Sequence, residues 1–246
     1  MEELERARIA GEPLAGKVCM TFDDGPQDGT EDCLNALAAK VPATFFLTGK
    51  NMAADPVRQK TLVGRMLTEG HQLGNHTYTH DPQAAAEYRQ AYGDLSDPTK
   101  LAKFEANFND NEAHFRTLLG ASSPIFSLAR LPGDGRFVNM GGTLVYVKQT
   151  EKMGMAHVGW DFELGTTKMV GTPPVEKPVF KHLKTFPWQG IDGVSADRPG
   201  LPKAGDVVLM HDRHWNGKQA KLEAVITKLK GEGYGFGKLD SSGECS

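Results

Sequence analysis

The chain has 246 residues, a formal net charge of −3, and 39% hydrophobic and 24% charged side chains. That is an ordinary globular balance, long enough for one large domain such as an α/β barrel or for two small ones. No run of Lys and Arg offers nucleic acid an electrostatic footprint, and no apolar stretch approaches the length of a membrane span. The first residues are charged and polar and lack the apolar core of a signal peptide. Three cysteines, Cys19, Cys33 and Cys245, make no disulfide framework. Cys19 and Cys33 read as buried thiols, and Cys245 falls on a tail, about 241–246, that reads as disordered.

The first strand is expected over Lys17–Phe22, from the apolar run Val18-Cys19-Met20, and Gly25-Pro26 stops it. A helix follows over Glu31–Ala39, ended by Pro42, then a buried strand over 43–47. Pro56–Glu69 reads as a helix opened by Asp55 and Pro56 and closed by Gly70. Gln72–Asn75 is a short strand leading into His76. The polar segment 82–119 reads as two helices broken near Ser96-Asp97-Pro98. Strands at Ile125–Ala129, Met155–Trp160 and Asp206–Met210 come next, with a helix at Gly142–Met153 between the first two. Residues 165–203, rich in proline and glycine, read as one long irregular loop. A helix at Lys218–Lys230 and a strand at Tyr234–Leu239 close the chain. No repeat or domain boundary breaks residues 1–246, which read as one domain.

Alternating strands and helices argue for parallel strands with crossover helices. Asp23 and Asp24, His76 and His80, Arg130, Asp161 and His211 each fall just after an expected strand. In a parallel barrel those strand ends open on one face, where active sites lie.

Adjacent side chains of a strand point opposite ways, so Asp23 and Asp24 share a site only if the backbone bends there. Two such carboxylates can divide labour, one holding a cation and the other handling a proton; the plain alternative is a polar Asp-Gly turn. His76 and His80, four apart, face one way on a helical turn. With Asp24 they give two nitrogens and one oxygen, a set suited to zinc with an open position for water. Cobalt or another divalent ion is the alternative. His71 reads as structural. Arg130 can hold Asp23 ionised, and Gly133 can bring a backbone N–H close to a substrate oxygen. His211, at the end of an apolar strand, can protonate a leaving group, oriented by Asp161 or Glu163. Taken singly, Arg130 is a surface residue beside a turn and His211 a lone strand cap.

Thr-Phe-Asp-Asp-Gly-Pro at 21–26, His-Thr-x-x-His at 76–80, Arg-x-Pro at 130–132 and Leu-x-His at 209–211 resemble, in order, the motifs of the polysaccharide deacetylase family, carbohydrate esterase family four. The resemblance implies an α/β fold, a distorted, incomplete (β/α) barrel of parallel strands with its site at their C-terminal ends. It implies Asp23 as general base, Asp24, His76 and His80 as metal ligands, Arg130 as partner of the base, His211 as general acid and Leu209 on the acetyl-methyl pocket. Two departures stand out. Gly133-Asp134 follow Arg-x-Pro where the family has an aromatic or small residue and then Gly. The fourth motif reads Trp160-Asp161-Phe162-Glu163, with no Asp-Trp pair after it, so Trp160 or Trp188 is left to supply the ring.

The implied activity is metal-dependent removal of acetyl groups, as acetate, from N-acetylated sugar polymers of the chitin, chitooligosaccharide or peptidoglycan type. An acetylxylan O-esterase and an inactive carbohydrate-binding homologue are the alternatives. The expected partner is an acetylated polysaccharide or oligosaccharide, bound by a monomer. Such polymers place the protein outside the cell or in its envelope, with the export signal missing from these residues, and a cytoplasmic protein as the alternative.

Overall fold

A computed structural model describes residues 16–38, 40–82, 87–123, 125–133, 144–170, 175–182, 189–190 and 204–246. Strands β1 (Lys17–Gly25), β2 (Thr44–Leu47), β3 (Gln72–Asn75), β4 (Leu128–Ala129), β5 (Ala156–His157), β6 (Phe162–Val170), β7 (Val175–His182), β8 (Gln189–Gly190), β9 (Val207–His211) and β10 (Gly235–Gly237) form a single sheet. Its order is β5-β4-β3-β2-β1-β9-β6-β7-β8, with β10 against the start of β1. Every pairing is parallel except β6 with β7 and β7 with β8. Among the described residues β5 and β8 do not meet, so the sheet is the incomplete barrel that the motifs imply.

Helices α1 (Thr30–Leu37), α2 (Gly49–Ala54), α3 (Pro56–Thr68), α4 (Tyr88–Ala91), α5 (Pro98–Leu119), α6 (Leu144–Lys152) and α7 (Gln219–Gly231) lie along the connections. The start of α3 follows from its sequence. The Asp55 side chain accepts from the Arg58 N–H, and Pro56 supplies a fixed φ where no N–H is needed. Gly70, at φ +83, ends the last turn. Leu62, Val63 and Met66 line the buried face of α3, and Leu222, Val225, Ile226 and Leu229 that of α7. On the sheet, Phe22 and Phe45 stack at 4.9 Å, both fully buried. Removing either ring would cost roughly 3–5 kcal/mol.

Three sequence expectations are corrected here. The 165–203 segment is not one irregular loop: 162–170 and 175–182 form the antiparallel pair β6 and β7. Cys19 is no thiol, because it is disulfide-bonded to Cys245, while Cys33 is the buried free cysteine. Residues 241–246 are no loose tail. Asp240 Oδ1 accepts from the backbone N–H of Ser242 and Glu244, and Leu239 bridges Cys245.

His71 is structural, as expected. Its ring meets Phe45 edge-on at 5.3 Å and its side chain is fully buried. Burial, opposed by Glu69, depresses its pKa from 6.5 to about 4. A histidine kept neutral in the fold stabilises it above pH 6.5, and that contribution is lost as pH falls towards 4. His71 should therefore account for roughly 2–3 kcal/mol of lost stability between pH 7 and about 4.5. Urea titrations at both pH values check this. A His71→Phe variant losing as much stability over that range as the parent would refute it.

Candidate active site

The strand β1 does not stop before the acids; it runs through them to Gly25. Asp23 pairs with Phe46 and Gly25 with Leu47, so Asp24 is an extra residue with no partner in the ladder. It bulges at φ +71, its carbonyl held by Asn51 Nδ2 at 2.5 Å. A bulge rephases the strand, so two consecutive carboxylates turn to one side. Gly25 permits this, since a Cβ there would collide with Asp212 Oδ2.

His76 and His80 leave β3 on a loop, not on the helical turn their spacing suggests. Positive φ at Thr77 and His80, 66° and 55°, brings the rings to 4.8 Å. The Nδ1–H of His76 donates to the Arg130 carbonyl at 2.7 Å, which leaves the Nε2 lone pair facing the acids. Asp24 Oδ1 lies 2.9 Å from His80 Nε2 and 3.4 Å from His76 Nε2. This buried oxygen makes no hydrogen bond of good geometry among the described residues, so the three ligand atoms crowd about a common point. Burial opposes ionisation of Asp24, but His76 and His80 overcome it and hold the carboxyl far below its usual range. Burial likewise lowers His76, and Asp23 and Asp24 reverse that into a net rise. The cluster favours positive charge between these side chains. One carboxylate and two imidazoles, closely set and mostly buried, fit a divalent cation.

Arg130 follows β4 and is wholly buried. It donates to Asp23 Oδ1 at 2.7 Å, Thr21 Oγ1 at 2.8 Å and the carbonyls of Val158 and Gly159 at 3.0 and 2.9 Å. Phe46 covers one side of its guanidinium at 4.1 Å, and Trp160 lies 5.5 Å from it. Asp23 keeps Oδ2 turned to the cluster, 3.6 Å from His76 Nε2.

His211 ends β9 directly opposite Asp23 in the β1–β9 register, and Leu209, buried, sits two residues earlier on the same face. Burial lowers the His211 pKa, against the opposing charges of Asp23, Asp24 and Glu163. Asp161 Oδ2 accepts from the Val207 N–H at 3.0 Å, four residues or about 13 Å of strand from His211. Glu163 is a fourth-motif acid whose charge reaches His211. Gly133, half-buried at φ +107, follows Arg130 by three residues. Trp160 packs towards Arg130, and Trp188 lies outside the described residues.

Two contributions were not read from the sequence. Arg213 donates to Asp24 Oδ2 at 2.6 Å, so each carboxylate oxygen has its own task. Asn107, on α5, clamps the histidine loop. Its Oδ1 accepts from Tyr78 N, Thr79 N and Thr79 Oγ1, and its Nδ2 donates to the Asp81 carbonyl and the Tyr92 hydroxyl. A buried asparagine within a polar helix is the available signal, but nothing in the sequence says what it holds. Asn107→Ala should orphan these groups, cost roughly 2–3 kcal/mol and weaken zinc binding at least tenfold. Calorimetric zinc titration and thermal melts check this; native values for both would exclude the clamp.

Comparison with known proteins decides the family. A sequence profile described as polysaccharide deacetylase matches residues 10–128. A peptidoglycan-N-acetylglucosamine deacetylase of Bacillus cereus is 44% identical over 237 residues, 94% of this chain and 69% of that protein. The chain belongs to the polysaccharide deacetylase family. This deacetylase-family chain is also 24% identical, over 94% of its length, to a bifunctional xylanase/xylan deacetylase of Cellvibrio japonicus, of which it spans 28%. It thus corresponds to a minor part of some curated relatives. Among solved structures, a CE4 esterase from Streptococcus mutans superposes with a TM-score of 0.62 at 26% identity, covering 96% of this deacetylase-family chain and 91% of that one.

Proposed function

We propose that this chain is a metal-dependent N-deacetylase of acetylated sugar polymers, releasing acetate. The observation that carries the reading is one carboxylate, Asp23, locked by Arg130 beside a three-ligand cluster of Asp24, His76 and His80. That donor set suits zinc, which when bound would polarise the acetyl carbonyl and acidify a water. Arg130 occupies Oδ1 of Asp23, so Oδ2 is the oxygen left to take the water proton. His211, across the strand pair, protonates the leaving amine; burial makes it a stronger acid than a free imidazole. The Gly133 N–H helps hold the developing oxyanion, and Leu209 packs against the acetyl methyl.

Polymeric substrates place the protein outside the cytoplasm, and the Cys19–Cys245 bond agrees, since such bonds persist in oxidising compartments. Among the described residues no helix is long and apolar enough to cross a membrane.

Acetate release from peptidoglycan, chitooligosaccharides and acetylxylan, each with a chelator control, tests the reading. Chelator-sensitive release from an N-acetyl substrate is expected. His211→Ala should lose about 100-fold more activity on the amide than on an activated acetyl ester, because an amine leaves poorly unless protonated. Equal losses at unchanged zinc content would remove His211 from that role.

A further inference from the structure

Beside the cluster lies a cavity of about 230 Å³ bordered by Asp24, Gln27, Lys50, Asn51, His80 and Arg213. Its charge is one-sided. Among the described residues Asp24 is the only acid on its wall, and it is already matched by His76, His80 and Arg213. Asp28, next to Gln27, is taken by Arg58 at 2.9 Å. Lys50 is exposed and carries no ion pair among the described residues. Arg213 commits Nη1 to Asp24, yet its side chain remains 54% exposed, so further N–H donors stay open to solvent. The Gln27 amide nitrogen is buried with no partner among the described residues, another donor in want of an acceptor. Asn51 directs its own amide donor to the Asp24 carbonyl. The wall offers cations and N–H groups and keeps its single carboxylate engaged.

We propose that this cavity receives the carboxylate of an acidic acetylated glycan, held by Lys50 and Arg213 while the neighbouring N-acetyl group meets the cluster. The inference rests on the N-deacetylase reading and narrows its substrate class. Neutral glycans of the chitin type offer this wall only uncharged acceptors, such as hydroxyls and acetamido carbonyls. A glycan with an acid on or beside the acetylated sugar offers a charge-assisted acceptor that both cations can share. The positive rim would also draw an anionic chain from solution, an effect that salt removes.

The test compares two N-acetylated oligosaccharides of equal length, a neutral chitooligosaccharide and one in which N-acetylmuramic acid supplies a lactyl carboxylate. Acetate release gives kcat/KM for each, and calorimetry on the zinc-loaded protein gives binding. The native protein should favour the acidic oligosaccharide, with a KM that rises with salt. The acidic-to-neutral ratio should fall about fivefold in Lys50→Ala and about 20-fold in Lys50→Glu. Lys50 is the clean position, because its backbone N–H is fixed to the Tyr78 carbonyl whatever the side chain, whereas Arg213 touches Asp24. An unchanged ratio in Lys50→Glu at native zinc content would overturn the inference and leave the deacetylase reading standing. Acetate from neither oligosaccharide would defeat that reading instead; binding would then decide this one, equal affinity for both overturning it.

Discussion

Replacing Arg130 with methionine should cost roughly 3–5 kcal/mol of stability and reduce acetate release at least 100-fold. The guanidinium is wholly buried and makes four hydrogen bonds, to Asp23, Thr21 and two carbonyls. Methionine fills much of the volume between Phe46 and Trp160 but leaves every one of those acceptors unpaired, one of them a buried carboxylate. Asp23 then loses the donor that fixes its Oδ1, and a carboxylate that is no longer aimed takes a water proton poorly. Arg130→Lys should fall between, restoring a charge but not the planar fork that reaches all four acceptors. The decisive control is Arg130→Met combined with Asp23→Leu. Removing both charges should recover much of the stability and none of the activity. Urea denaturation and acetate assays measure the two effects. Less than about 1 kcal/mol lost in Arg130→Met, with activity intact, would mean that Asp23 does not depend on this pairing.

The double variant His76→Ala/His80→Ala should hold almost no zinc and release acetate no faster than the chelated parent. A single carboxylate rarely retains zinc, and Asp24 would be left with Arg213 as its remaining partner. The two histidines are not equivalent. His76 is buried, bonded to the Arg130 carbonyl and set against Phe46, whereas the His80 side chain is 22% exposed. His76→Ala should therefore also disturb the Asp23–Arg130 pair, and His80→Ala should act chiefly through metal affinity. Elemental analysis finding one zinc per chain in the double variant would sink the ligand assignment.

Much of this site could be read before any coordinates, because its residues stand at strand ends and strand ends converge. Asp23, Asp24, His76, His80, Arg130 and His211 do meet. What failed depended on backbone phase and on distance in sequence. The histidine spacing of four suggests a helix, but positive φ at Thr77 and His80 gives the same convergence without one. Choosing between Asp161 and Glu163 requires knowing which end of β9 each approaches, which no local pattern records. β7 was missed because Pro178 breaks the strand signal; among the described residues β8 pairs only with Lys181 and His182, so no outer ladder is seen at Pro178, where a proline is tolerated. The Cys19–Cys245 bond joins residues 226 apart, and nothing near either cysteine announces the other.

The placing of β1 also governs how the protein can be made. This central strand is made before β9, β10 and the cysteine that fastens it, all of which lie far along the chain from it. Until those residues emerge, one flank of β1 has no ladder, and Asp23 stands without the neighbour that carries His211. Folding in order of synthesis therefore cannot finish the site until β9 is made, and until then the nascent chain carries an open, apolar strand. Truncating the chain before β9 should yield an aggregating product rather than a smaller folded one. The catalytic centre waits on β9, although Asp23 and Asp24 are made well before it.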